Sequence, residues 1–251
     1  MATSESLQLT ESIDNKRYYN ITKDGVVHKL PSVTTIIGAM TDHSGLDRWR
    51  KSIGEAEANR ITKFSANRGT CMHQKLEYWF TSQIEDKAER MADVNRKMAE
   101  FIINEGYTEA ELRVGEDLFN SLMVCGFFER VESIVEMEDT LYSFTCGGYA
   151  GRVDCVYRNA YGENVLLDFK TARRKKSREY VQNYYLQLGA YFVAYYQMHK
   201  VKLDHGELWI AVENDAPQLF YIDQSELIES AKQFLGLCKA YHQKYDYLIE
   251  K

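Results

Sequence analysis

Seven residues, Asn164–Lys170 (NVLLDFK), constrain this chain more than any other stretch. The run is apolar until its end and reads as a strand, in which successive side chains point to opposite faces. Val165, Leu167 and Phe169 are expected to face the core. Leu166, Asp168 and Lys170 face the other way, so a carboxylate and an ammonium emerge side by side. The preceding apolar run, 148–158 (GYAGRVDCVYR), reads as a second strand. Turn chemistry at Asn159-Ala160-Tyr161-Gly162 joins the two as a hairpin. That pairing places Asp154 within metal-sharing reach of Asp168. Two carboxylates and a backbone carbonyl form a hard, oxygen-rich set suited to Mg²⁺ or Mn²⁺. A bare D-x-K is more often a cross-strand ion pair; the GxxD fourteen residues earlier is what raises the metal reading.

The flanking pattern gives an α/β order. Tyr18–Ile21 and Val26–His28 form a hairpin around Asp24-Gly25, followed by a helix in 31–40 with Ser or Thr caps. From 46 to 104 the spacing is helical: Trp49, Ile53, Ala56 and Arg60, then Met72, Leu76, Trp79 and Phe80. The highly charged stretch 82–97 reads as a mobile connection, and Val114, Leu118 and Leu122 resume a helix. Strands follow at 131–137, 148–158 and 164–170, a helix at 180–199, strands at 206–213 and 218–222, and a last helix from Ser225. The chain is expected to be a single domain over 1–251: a mainly helical elaboration at 31–125, an α/β core at 126–225 and a C-terminal helix at 225–251. At 251 residues, 45% hydrophobic and 27% charged, it is long enough to bury its own core.

Net charge is −6, so bulk charge does not announce a nucleic-acid binder. The positive charge is local. Residues 170–178 (KTARRKKSR) hold six Lys or Arg in nine positions, directly after the strand that carries Asp168. No apolar run approaches the roughly 18 residues of a membrane span, and the acidic N-terminus has neither a secretory nor a transit pattern. The five cysteines include no CxxC, and their odd number points to reduced thiols and a cytoplasmic setting.

GRVD (Gly151–Asp154), DFK (Asp168–Lys170) and QLGAY (Gln187–Tyr191), in that order, resemble the PD-(D/E)XK nuclease superfamily. QLGAY is similar to the QxxxY of its RecB-type exonuclease branch. RGTCMHQKLE (Arg68–Glu77) resembles the RG…H…E helix of that branch, and PSVTTII its small mitochondrial and phage members. Val153 stands where the superfamily's name has proline. The resemblance implies a restriction-endonuclease-like mixed sheet flanked by helices, with the helical part as a lid. It implies a metal-dependent DNA exonuclease favouring free ends and single strands, with a role in replication, recombination or repair. Two alternatives stay open: an endonuclease on the same core, or a DNA-binding module without catalysis.

By the same resemblance, His73, Asp154, Asp168 and the Phe169 carbonyl bind one or two ions of Mg²⁺ or Mn²⁺, and Lys170 is the catalytic lysine. Glu138 resembles the acidic residue before GxxD, with Glu136 competing. Gln187 and Tyr191, at i and i+4, reach the site or a phosphate. Glu77 either orients His73 or is a surface glutamate. Arg68, Arg173, Arg174, Lys175, Lys176 and Arg178 meet the DNA backbone. Trp49, Trp79 and the tyrosines of 180–196 offer faces for bases, although core packing suits most of them. Some relatives carry a four-cysteine iron–sulfur cluster with three cysteines near the C-terminus. Only Cys238 lies there, so no cluster is expected.

Overall fold

The computed structural model describes residues 7–13 and 16–245. Strands β1 (Leu7–Ile13), β2 (Lys16–Lys23) and β3 (Val26–Pro31) form a three-stranded antiparallel sheet. The hairpin at Asp24-Gly25 is present, with both turn residues at positive φ. Helix α1 (Val33–Met40) follows, capped by the Ser32 hydroxyl, which accepts from the Thr35 N–H at 2.9 Å. Helices α2 (Ser44–Ile53), α3 (Glu55–Thr81), α4 (Lys87–Glu105) and α5 (Glu109–Val124) come next. The main sheet holds β4 (Ser133–Ser143), β5 (Tyr149–Arg158), β6 (Asn164–Ala172), β7 (His205–Val212) and β8 (Gln218–Ile222), in that spatial order. All its neighbours are antiparallel except β6 and β7, which α6 (Gln182–His199) joins as a crossover. Helix α7 (Gln224–Tyr245) closes the described chain. The expected extension of that helix to 251, and the N-terminal segment read for targeting, include residues outside the described ones.

Helices cover both faces of the main sheet. Val165, Leu167, Phe169 and Trp209 pack with Met72, Trp79 and Phe119 of α3 and α5. Leu166, Leu208 and Ile210 pack with Leu188 and Tyr195 of α6 and Phe234 of α7. The expected alternation in β6 holds, but Leu166 points into a second core rather than outward, because α6 and α7 cover that face. Every residue of β7 is buried, as a central strand covered on both sides requires.

The charged stretch 82–97 is not a loose connection. Asp86 caps α4 by accepting from the N–H groups of Ala88 and Glu89, both at 2.9 Å. Val94, Met98 and Ile102 recur at helical spacing and are buried, while Asp93, Arg96 and Glu100 pair on the solvent side. The apolar stripe is narrow, and the charges outnumber it. Trp79 is core: its ring lies 6.1 Å from Phe119 and 5.9 Å from Phe128. Helix α2 buries no residue, so Trp49 stays at the surface layer.

At the base of the sheet the Glu207 carboxylate is fully buried. It accepts from the Arg130 guanidinium, the Tyr157 hydroxyl at 2.9 Å and the Trp209 indole at 2.7 Å. Burial pushes its pKa up; hydrogen bonds from His205, Arg130 and Trp209 outweigh that and hold it at about 2. A depressed carboxylate contributes stability above its unfolded pKa and loses it as pH falls through the folded value. Glu207→Gln should cost about 3 kcal/mol at pH 7, the low end for a broken buried pair because Arg130 is half exposed. Thermal denaturation of both proteins tests this. The gap should narrow as pH drops from about 4.5 towards 2, whereas an equal gap at pH 3 and pH 7 would contradict it.

Candidate metal centre and cleft

The site is built on one row across three strands. Met137 opposite Cys155 and Asp139 opposite Val153 set Glu138 opposite Asp154. Cys155 opposite Leu167 sets Asp154 beside Asp168, one step further along. Three carboxylates thus stand side by side. Glu138 has φ +52°, a left-handed conformation rare for a side-chain-bearing residue inside a strand. Its effect is visible on both sides of the row. Met137 and Cys155 face the α3–α5 layer, whereas Leu141 and Val153 face the α6–α7 layer. Facing therefore changes at Glu138 and Asp154, which brings the row to the seam where the two helical layers meet.

Asp154 is 8% exposed and Asp168 is 1% exposed. The Phe169 N–H donates to Asp154 Oδ2 at 2.6 Å, taking the place of a ladder bond. Lys170 Nζ lies 2.5 Å from Asp168 Oδ2, but neither Asp168 oxygen makes a hydrogen bond of good angle. The contact is therefore read as a charge pair, not as full satisfaction of that carboxylate. Burial pushes the Asp168 carboxyl above the usual range, with Lys170 opposing. Burial works against the Lys170 charge too, but Asp168 and Asp154 outweigh it and raise the ammonium pKa. The ammonium also lies 5.2 Å from the centre of the Tyr184 ring.

Helix α3 brings His73 to this row. Its Nε2 is 3.1 Å from the Phe169 carbonyl, and its Nδ1 is 3.6 Å from Glu138 Oε1 and 3.8 Å from Asp154 Oδ1. Burial disfavours the imidazolium, while Asp154 and Glu138 favour it and prevail, so the pKa rises. One ligand atom from each of His73, Glu138 and Asp154 lies within 4.8 Å of the others. One imidazole and two carboxylates around a common point fit a divalent cation. The Asp168 oxygens beside them lack a well-angled hydrogen bond, although Lys170 lies close.

Of the expected ligands, then, His73, Glu138 and Asp154 come together. The Phe169 carbonyl borders them. Asp168 is next in the row, beside Lys170, and its oxygens lie outside that group. Glu136 sits opposite Val156, with its pKa raised by burial and then by Asp139, and does not enter the group.

Gln187 and Tyr191 project from α6 into the same cleft, a space of about 830 Å³, with Gln187 Nε2 3.4 Å from the Tyr191 hydroxyl. Glu77 lines the cleft and accepts from Gln74 at 2.9 Å, with no bond to His73. A second pocket of about 690 Å³ shares Ser65 and Thr171 with the cleft and is lined by Arg173, Arg174, Lys175 and Lys176. Lys175 also pairs with Asp215 at 2.7 Å. Arg68 and Arg178 are placed differently from the rest. Arg68 is 3% exposed, lines the second pocket from within and pairs with Glu213. Arg178 turns away to Glu226, at 2.8 Å, and to the Tyr185 hydroxyl.

Sequence reasoning missed Arg152 and the cleft wall formed by Arg17, Ser32 and Thr34. Arg152 sits inside GRVD, where alternation alone gives it the Asp154 face. Arg17 comes from β2 of the separate sheet, and Ser32 and Thr34 from the start of α1, whose caps are readable locally while its approach to the cleft is not.

Gly151 has a packing reason. A Cβ there would come within 2.7 Å of the Tyr191 ring and 2.8 Å of its hydroxyl. Gly151→Ala should therefore cost about 1–3 kcal/mol by overpacking. Trimming Tyr191 to Leu in the same chain should recover most of that. Denaturation of the single and double variants measures the coupling, and additive losses would contradict the contact.

The family model for the PD-(D/E)XK nuclease superfamily matches residues 41–247. No curated protein matches the chain. Among solved structures, a candidate exonuclease from Eubacterium rectale is 12% identical with a TM-score of 0.45, covering 70% of this chain and 65% of its own. The chain thus spans less than two thirds of that protein. A second, the protein SSO0001, is 17% identical with a TM-score of 0.33, covering 71% of this chain and 86% of its own. Both likenesses are too distant to say anything of this chain's activity. The family match covers most of the sequence and takes in GRVD, DFK and QLGAY together, and on it the chain belongs to the PD-(D/E)XK nuclease superfamily.

Proposed function

We propose that this nuclease is a Mg²⁺- or Mn²⁺-dependent deoxyribonuclease that digests DNA from free ends and favours single strands. The observation that carries the hydrolytic reading is the Glu138–Asp154–Asp168 row with Lys170 beside it. The preference for ends rests on the similarity of QLGAY to the RecB-type exonuclease motif.

His73, Glu138 and Asp154 would hold the cation, with the Phe169 carbonyl bordering it. Bound there, a divalent ion supplies acidified water and neutralises charge on the phosphoryl oxygens. Lys170 carries a protonated ammonium kept charged by Asp168 and Asp154. It orients the attacking water and stabilises charge that develops on the phosphate. Asp168 holds that ammonium in place across the buried seam. Gln187 and Tyr191 offer an amide and a hydroxyl to a non-bridging oxygen. Arg173, Arg174, Lys175 and Lys176 follow the phosphate backbone away from the centre and make affinity fall with salt. Arg68, buried on Glu213, anchors α3 and through it His73. Arg178 packs α7 to the loop before α6. Among the described residues no helix is long and apolar enough to cross a membrane.

Cleavage of end-labelled linear single strands, linear duplex and closed circles with Mn²⁺ or Mg²⁺ tests the reading. Linear DNA should disappear, single strands fastest, while circles survive. Lys170→Ala should slow the reaction by at least about a hundredfold with the fold intact. Cut circles would replace the exonuclease with an endonuclease, and retained but uncut DNA would leave a binding module.

A further inference from the structure

We propose that Arg152 is a positioning residue with two edges, one holding Glu138 in the metal group and the other meeting a substrate phosphate. The inference rests on the nuclease reading above. Arg152 Nε donates to the Glu138 carbonyl at 2.7 Å and lies 3.0 Å from Glu138 Oε2. A single N–H thus touches both the backbone and the carboxylate of the one residue in the row with left-handed backbone. That conformation is unfavourable for glutamate, so something outside the residue must hold it. The change of facing that brings Glu138 to His73 centres on this residue, so a grip on it bears directly on the metal group.

Among the described residues the far edge of the guanidinium has no hydrogen-bond partner. The Arg152 side chain is 48% exposed and lines the cleft, whereas Glu138 is 13% exposed beneath it. The guanidinium is a rigid fork of five N–H donors, and Nε uses only one. The remaining edge matches the paired oxygens of a phosphodiester next to the metal group. Substrate on that edge stiffens the same plane that holds Glu138, so phosphate binding and ligand geometry are linked. A lysine carries the charge but lacks the fork. It cannot bind the Glu138 carbonyl and present a second planar edge together.

The test separates the two edges. Mn²⁺ titration of the full chain without DNA, followed by electron paramagnetic resonance, reads the inner edge. Arg152→Ala should weaken Mn²⁺ binding by about tenfold or more, the scale seen when an outer partner of a ligand is lost. In a Glu138→Ala background the same change should add little, since Arg152 acts through Glu138. Single-stranded DNA binding with Ca²⁺ reads the outer edge. Arg152→Ala should weaken it, and Arg152→Lys should recover only the part of the DNA affinity that charge alone supplies, and little Mn²⁺ affinity. Unchanged or tighter Mn²⁺ binding by Arg152→Ala, or an equal loss in the Glu138→Ala background, would overturn the proposal. Wild-type cleavage of linear DNA reports separately on the nuclease reading.

Discussion

The repulsion within Glu138, Asp154 and Asp168 is the constraint around which the rest is arranged. Like charges directly opposite one another in a sheet are destabilising, and burial makes each worse. The protein meets this with specific partners. The Phe169 N–H takes one oxygen of Asp154, Lys170 takes Asp168, and Arg152 takes Glu138. These contacts leave Asp168 without a well-angled hydrogen bond. Under the proposed reading, a divalent cation held by His73, Glu138 and Asp154 would add positive charge to this row.

The layered fold supplies the rigidity that such a row needs. Trp209 and Phe169 lock the sheet against α3 and α5 on one side, and Leu188 and Phe234 lock it against α6 and α7 on the other. Each layer then contributes chemistry at the seam. Helix α3 delivers His73, and α6 delivers Gln187, Tyr191 and the Tyr184 ring beneath Lys170. The left-handed residue at 138 makes the seam accessible, by turning β4 and β5 over at the point where the ligands are required. Strain at a functional position is held by well-packed surroundings.

Much of this was legible in the sequence. Period-2 alternation in NVLLDFK put Asp168 and Lys170 on one face, and the turn at Asn159–Gly162 paired that strand with GRVD. Both follow from local backbone geometry. The choice between Glu136 and Glu138 was not legible, because it hangs on a left-handed glutamate that no glycine or asparagine marks. The burial of the Arg68 guanidinium on Glu213 was not legible, because it is a tertiary fact formed across 145 residues of chain. Alternation shows the face of Asp168 but not how deeply the helical layers bury it. The charged start of α4 hid a narrow stripe of Val94, Met98 and Ile102, where packing outweighs composition.

The most direct test of the metal-centre account is the anomalous scattering of a crystal of this chain soaked in Mn²⁺. The account predicts a manganese peak in contact with His73, Glu138 and Asp154, with Lys170 close by on the Asp168 side. It also predicts that the peak vanishes in Asp154→Asn crystals of the same form. Manganese elsewhere in the cleft, or a peak that persists without the Asp154 carboxylate, would contradict it.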